Sequence, residues 1–582
     1  MKDVHIFERQ VGGRPYRIAA QSVWDSSRRR SVARQAVLGP AGTAPVVDLG
    51  TARTVGTRAV GDTGALAWVA DQLDLVGHID RACGGIGAKK GPTLGEMVLA
   101  VATQRACTPG PKRDLAEFLE ESIPRVSCLP AAKFSGQAFH RLAQQVTDAE
   151  LEAAQVAISR AAVNRFDLST NVLAFDTTNF DTCVARVTEG ELAQRGHAKS
   201  KRSDLRVVGL GLLVSETGQV PLLYRTYPGN GSDQGVLTSC LAGLGKLHEA
   251  LDEGAVHKKR SERTLVRDGG FWSEQLELDL DAIGYGSIIS LPLSHRAAEH
   301  ALARAAKRGS MKALSGKLGD VRTARIRAQV GDLDRTLIVV ESKELLEGQK
   351  RGIAVALKKA KEELRLLERA VSAGRIRKSN LELRVEKTLR REHLSKFVVA
   401  EIAGDEASPT LRWHVDSARR KVLETTRLGR RVLCTDRHLW TTERIVHGFR
   451  GQWNVEEMFR RAKGGGVVPW GPSFQWADSS LRLHTFAAVI GLVLVSLARI
   501  ALGTAASARA MMESLAGIRA TLVRAQLAGK GRPPTILIAP ALTPDQRRAV
   551  KVFELEQWMP SLASCMDVRA PSRVGSGREK DS

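Results

Sequence analysis

The chain reads as a mixed α/β fold, and three patterns lead to that reading. Between Asn171 and Leu291 short apolar runs of strand type alternate with helical stretches. The apolar spacing switches from a period of two to a helical period near Asp62 and back near Asn171. Glycine and proline mark the ends of strand-like runs, as at Gly39-Pro40 and Pro292.

Taken in order, residues 1–60 hold alternating runs such as Val4-His-Ile-Phe7 and Pro15-Tyr-Arg-Ile18, and Arg28-Arg-Arg30 makes this small strand-rich unit basic. Residues 62–165 carry helical spacing, as in Leu66, Val69 and Leu73 or Leu94, Met97, Val98 and Val101, broken at Pro92, Pro109, Pro111 and Pro130. They predict a compact all-helical domain. Residues 170–292 predict strands at Val172 to Phe175, Arg206 to Val214, Val220 to Tyr224, Leu265 to Val266 and Ser287 to Leu291, with helices at Gln234 to Leu251 and Trp272 to Ile283. Residues 293–430 interrupt that rhythm. Leu346, Ile353, Leu357, Ala360, Leu364, Leu367 and Val371 follow the steps of a coiled-coil seam, flanked by strand-like runs at Thr336 to Val340 and Lys396 to Ile402, which predicts an insertion with its own helix and small sheet. Residues 431–502 resume the sheet at Arg431-Val-Leu-Cys-Thr-Asp436, followed by helices at 441–448, 454–463 and 481–502. Residues 503–570 read as a helical C-terminal region and 571–582 as a disordered tail.

The charge narrows the class of partner. The 582 residues carry a formal charge of +24, which favours a polyanion. From Arg296 to Lys396 there are 26 Lys and Arg against 13 Asp and Glu, so over half of the excess lies in this one region. So local a surplus, including Lys358 and Lys359, reads as a phosphate-binding surface rather than a merely solvated face. The seven cysteines show no Cys-x-x-Cys pair and no histidine at zinc-ligand spacing, which argues against structural zinc. Their odd number and a charged amino terminus without a secretory leader place the expected site of action in a reducing cytoplasm. The most apolar stretch, Phe486 to Leu502, is shorter than the roughly 20 residues of a membrane span and reads as a buried core helix.

Three acids occupy positions suited to binding a divalent metal. Asp176 closes the run Asn171-Val-Leu-Ala-Phe-Asp176, Asp268 closes Thr264-Leu-Val-Arg-Asp268 ahead of two glycines, and Glu456 rides an amphipathic helix. Mg²⁺ is a hard cation that takes a few carboxylate oxygens, and two such ions can hold the attacking and leaving oxygens of a phosphodiester. Bland alternatives stand beside each acid. Asp181 competes with Asp176 but has opposite strand parity, and Asp268 before Gly269-Gly270 also suits a turn. Glu456 and Glu457 flank the buried stripe of Val455, Met458, Phe459 and Ala462 on opposite sides, so periodicity does not choose between them. His197 reads as a polar loop or DNA-contact residue. Trp440, Trp453, Trp470 and Trp476 read as core before they read as base-stacking groups.

The residues resemble the DDE transposases of bacterial insertion sequences, in particular the insertion-sequence-four group and its larger relatives. That group's signature is Tyr, two residues, Arg, three residues, Glu, six residues, Lys. Its spacing is kept here as Phe449, Gln452, Glu456 and Lys463, with the Tyr and Arg replaced. The segments Phe175-Asp-Thr-Thr-Asn-Phe180, Arg195-Gly-His-Ala-Lys-Ser-Lys-Arg-Ser-Asp204, Pro228-Gly-Asn-Gly-Ser-Asp233 and Val266-Arg-Asp-Gly-Gly-Phe-Trp-Ser-Glu274 follow the order such enzymes show, over roughly Gly39 to Leu502.

The resemblance implies a ribonuclease H-like catalytic core interrupted by an insertion between the second and third acids. It implies two Mg²⁺ ions, replaceable by Mn²⁺, held by Asp176, Asp268 and Glu456. Lys463 would contact DNA phosphate, with Lys199 and Lys201 of the Arg195–Asp204 segment also on DNA. Phe449 and Gln452 lack the phenol and guanidinium that the group uses on backbone phosphate, and Arg450 or Arg460 would supply the missing charge. The implied partners are double-stranded DNA, as terminal inverted repeats and as target, and a second copy of the chain in a synaptic complex, with no membrane. The helical domain and the basic amino-terminal unit would bind the element ends. The competing classes are a non-transposing nuclease on the same fold and a DNA-binding derivative without catalysis.

Overall fold

The computed structural model describes residues 4–11, 14–25, 30–40, 53–87, 91–122, 129–185, 189–252, 263–307, 311–315, 319–524, 535–538 and 541–557. Its contacts divide the chain into two compact units, neither of them one linear segment: Met1–Val69 with Ala116–Ala131 and Thr504–Ser582, and Ala70–Leu115 with Ala132–Gly503.

The first unit begins with three antiparallel strands, β1 (Val4–Val11), β2 (Arg14–Asp25) and β3 (Arg30–Pro40). β4 (Arg53–Ala59) belongs to a different sheet, completed from the far end of the sequence.

The second unit is built on one large sheet. Its strands are β5 (Val172–Thr182), β6 (Arg206–Ser215), β7 (Pro221–Pro228), β8 (Arg263–Arg267), β9 (Tyr285–Leu291), β10 (Lys312–Ala313), β11 (Val321–Val330) and β12 (Leu333–Ser342). A hairpin apart from that sheet, β13 (Val398–Gly404) with β14 (Pro409–Val415), follows, and β15 (Arg430–Thr435) then returns to the sheet. The spatial order is β10-β11-β12-β15-β9-β8-β5-β6-β7. β5, β6 and β7 form an antiparallel meander, β8 lies parallel to β5 and β9 parallel to β8, and β15, β12 and β11 continue antiparallel. The result is a mixed α/β architecture, with parallel strands at the centre where helices cover them.

The helices around this sheet owe their limits to local chemistry. Thr93 and Thr147 start Leu94–Cys107 and Asp148–Phe166 with capping boxes to Glu96 and Glu150. The apolar stretch expected as a core helix is part of Asp478–Leu502, long and apolar enough to cross a membrane by length and composition, but buried and packed along Leu94–Cys107. On one sheet face the Thr442–Arg450 helix lays Ile445, Val446 and Phe449 against Val172, Val266, Ile288, Ile338 and Leu433.

Two sequence expectations for the later chain need correction. Thr336 to Val340 does not form a sheet of the insertion's own. It lies in β12, whose residues pair with β15 of the large sheet from Thr336↔Thr435 to Glu341↔Arg430. The predicted seam is buried at Ile353, Leu357, Ala360, Leu364 and Leu367, but its partners are intramolecular: Leu381 and Val385 of the Lys378–Leu389 helix, Phe397, and Val398 and Leu411 of the hairpin. The region 503–570, read as helical, includes two strands, β16 (Arg519–Arg524) and β17 (Thr535–Ile538), and β16 sits between β17 and β4. Its described helices are Ala508–Ala516 and Pro544–Val552. The tail at 571–582 lies outside the described residues.

Candidate functional site

Strand register brings two of the three acids together. β5 and β8 pair in parallel as Val172↔Thr264, Leu173↔Leu265 and Ala174↔Val266. Two residues further on stand Asp176, still within β5, and Asp268, the first residue past β8, so the same register extended by two places sets them level. Asp268 continues the strand with φ −82° and ψ 165° before a short turn at Gly269–Phe271. Val172 and Val266 both face the Thr442–Arg450 helix, so the two-residue alternation turns Asp176 and Asp268 toward that same face. Parallel neighbours lie about 4.8 Å apart, which puts the two carboxylates within reach of one cation.

The backbone around Asp176 is held firmly. Its Oδ1 accepts the Thr177 amide at 2.7 Å, and β5 stays paired with β6 out to Thr182. The segment containing His197 lies along this strand end. Asn179 Nδ2 donates to the His197 carbonyl at 2.8 Å, the Lys199 amide donates to Asn179 Oδ1 at 2.9 Å, and Ser200 Oγ donates to Asp181 Oδ1 at 2.8 Å. Lys199 Nζ donates to the Thr177 carbonyl, one residue from Asp176. Lys201 is exposed, with a left-handed φ of 64°.

Lys463 joins the same cluster. Burial and then the neighbouring Lys199 charge lower its pKa, while Asp176 and Asp181 pull it back up. It ends the Trp453–Ala462 helix, whose first turn carries Glu456. Seven residues of helix span about 10 Å, so Glu456 stands well away from the Lys463 end. Glu456 is exposed and lines a cavity of about 670 Å³ with Arg450, Gln452, Trp453, Arg351 and Arg431. Among the described residues no three His, Cys, Asp or Glu side chains converge closely enough to hold a metal ion. The structure thus sets Asp176 and Asp268 at one level and does not bring Glu456 into a three-carboxylate cluster with them.

The choice between the two glutamates acquires a physical basis here. Glu457 binds Arg460 at 2.7 Å and the buried Arg461 at 3.2 Å, so it is an anchor of its own helix. The Glu456 carboxylate makes no hydrogen bond or ion pair among the described residues. The same pairing engages Arg460, a candidate DNA contact, with Glu457. Arg450 lies 3.9 Å from Asp320, and Gln452 is half-buried in the cavity wall. Lys358 and Lys359 are exposed on Lys343–Ser372, beyond the turns that line the cavity. Trp440 and Trp470 are core residues, whereas Trp453 and Trp476 are exposed. Sequence reasoning missed Arg351 and Arg431 in the cavity wall, and no local pattern marks them.

No family model matches the chain, and no curated protein matches it. Among solved structures, a cryo-EM structure of piggyBac transposase in a synaptic complex with hairpin DNA is similar over 88% of this chain and 86% of that one. The TM-score is 0.35 and the identity 9%.

Proposed function

We propose that this chain is a DNA transposase of the carboxylate type, cutting double-stranded DNA at element ends and joining the new 3′-hydroxyl to target DNA. The observation that carries the proposal is the pairing of Asp176 and Asp268, level on adjacent parallel strands and on one face. The order β7-β6-β5-β8-β9, an antiparallel meander followed by two parallel strands, supports a ribonuclease H-like core. The ordered motifs and the basic surplus support the same reading.

The aspartate pair fits a hard divalent cation such as Mg²⁺, or Mn²⁺ in its place, because two carboxylates at one strand level offer oxygens without a soft ligand. When bound, such ions lower the pKa of an attacking water or hydroxyl and stabilise the leaving oxygen. Glu456, on the Trp453–Ala462 helix that packs against β5 and β6, completes the set in this reading. Lys199 and Lys463 flank Asp176 and neutralise a phosphate brought beside it. Two copies of the chain would hold the two element ends, in the bacterial cytoplasm.

The test is a plasmid bearing the DNA that flanks the gene on both sides, incubated with purified protein and Mg²⁺. Cleaved ends and joined products are expected, and Asp176→Ala and Asp268→Ala should remove both while DNA binding persists. Strand transfer by Asp268→Ala overturns the assignment, and nicking without any joined product favours a non-transposing nuclease.

A further inference from the structure

The turn between β6 and β7 contains a residue that no motif singled out. Gln219 has a left-handed φ of 59°, directly after Gly218 at 73°, although a side chain with a Cβ disfavours that region. Gly218 has its own reason, since a Cβ there would meet Ile500 Cδ1 at 2.2 Å. Gln219 has none in its backbone, and its side chain explains its presence. The residue is 5% exposed, and its Oε1 accepts from Arg461 at 2.6 Å and Arg499 at 3.3 Å. Its Nε2 donates to Asn454 Oδ1 at 3.2 Å, and its carbonyl accepts from Ser496 Oγ at 2.9 Å. Ser496 Oγ in turn accepts from Arg461, which also holds Glu457.

Asn454 and Arg461 lie near opposite ends of the Trp453–Ala462 helix, and Ser496 and Arg499 belong to the Asp478–Leu502 helix. One amide therefore ties both ends of the helix that carries Glu456 to a fixed sheet turn. The apolar stripe of that helix sets which face is buried, and the directional hydrogen bonds hold its rotation more closely within that limit.

We infer that Gln219 is a positioning residue for Glu456, acting through Asn454 and Arg461 on the rotation of the helix between them. The inference rests on the proposed role of Glu456. It explains why an amide side chain occupies a strained backbone position: glycine would fit the backbone better but could not reach either helix.

That contrast supplies the experiment. Gln219→Gly relieves the backbone but leaves the buried Arg461 and Asn454 each short of a partner, so the thermal midpoint should fall by only a few degrees. Amide hydrogen exchange should accelerate selectively over residues 453–462, and the Mg²⁺ concentration needed for half-maximal cleavage should rise about tenfold or more, as for lost outer-shell partners of metal ligands. Gln219→Glu keeps an acceptor for Arg461 and Arg499, and Asn454 can turn its amide to donate, so it should restore both exchange protection and metal requirement. Unchanged exchange and unchanged Mg²⁺ requirement in Gln219→Gly overturn the inference. So does a general loss of stability that Glu cannot restore, which would make Gln219 a folding residue. Glu456→Ala, run in parallel, keeps the two readings distinct. If that variant cleaves normally the catalytic assignment of Glu456 fails, whereas an inactive Glu456→Ala beside a normal Gln219→Gly sinks the positioning role alone.

Discussion

Asp268→Asn tests the paired aspartates without depending on any DNA substrate. With Cα atoms about 4.8 Å apart on parallel strands and the carboxylates about 5 Å apart, like charges repel by about 0.8 kcal/mol in water and about 3 kcal/mol at an effective dielectric of 20. Asp268 is exposed, so the value near water applies, about 1 kcal/mol. Neutralising it removes this repulsion, and little else is lost: the side chain makes no capping hydrogen bond, and Lys463 draws on Asp176 and Asp181 instead. The metal-free variant should therefore melt about 2 °C above wild type. Mg²⁺ reverses the order. At ten times its dissociation constant a cation bound only by the folded state adds about 1.4 kcal/mol, and Asp268→Asn should forgo most of that gain. Differential scanning fluorimetry with and without Mg²⁺, on wild type and both single Asn variants, reads the result. A metal-free Asp268→Asn less stable than wild type, or an equal Mg²⁺ response in the two proteins, would refute the shared site.

Glu456→Ala should abolish cleavage and strand transfer at unchanged DNA affinity. Glu457→Ala should retain cleavage while losing about 1 kcal/mol of stability, because Arg461 is buried and keeps only Gln219 and Ser496; the opposite pattern in a cleavage assay would reverse the two roles. Lys358→Glu and Lys359→Glu should each lower the slope of log affinity against log salt by about 0.9 if each contacts a phosphate, and unchanged slopes in a filter-binding series would make these lysines a solvated face. Lys112 has its pKa pushed down to about 7 by burial and then by Arg105, beside His484 at 3.1 Å. From about pH 7 up to the ordinary value of 10.5 the unfolded chain holds a proton that the folded chain lacks, so stability rises with pH across that window. Lys112→Met should then stabilise most at or below pH 7, with the gain fading toward pH 10.5, and a gain that grows with pH in thermal melts would contradict the cause given.

The parts of this site that were legible in the sequence are those with local signatures. Apolar runs ending on an acid marked β5 and β8, and the amphipathic stripe marked the Trp453–Ala462 helix. The level pairing of Asp176 with Asp268 was not legible, because strands 92 residues apart in sequence acquire their register from the whole sheet. Glu456 and Glu457 illustrate a subtler limit. Arg460 stands at helical pairing distance from both, so only Arg461, four residues after Glu457, could have separated them, and its discriminating feature is burial. β12 was assigned to the wrong sheet for the same reason that Asp176 and Asp268 could not be paired, since its partner β15 lies across the insertion. The strand signal in Thr535-Ile-Leu-Ile538 was present and local, yet the helical reading of 503–570 passed over it.

These contrasts bear on how the site can work. Asp176 and Asp268 are fixed by backbone ladders, which no single side chain controls, so their spacing is a property of the fold. Glu456 is fixed differently. Its helix adheres through the buried stripe of Val455, Met458, Phe459 and Ala462, and its orientation is held in addition by a few buried polar bonds centred on Gln219. Loss of those few bonds would let the helix turn and carry Glu456 with it, whereas no single side chain sets the register of the strands that carry Asp176 and Asp268.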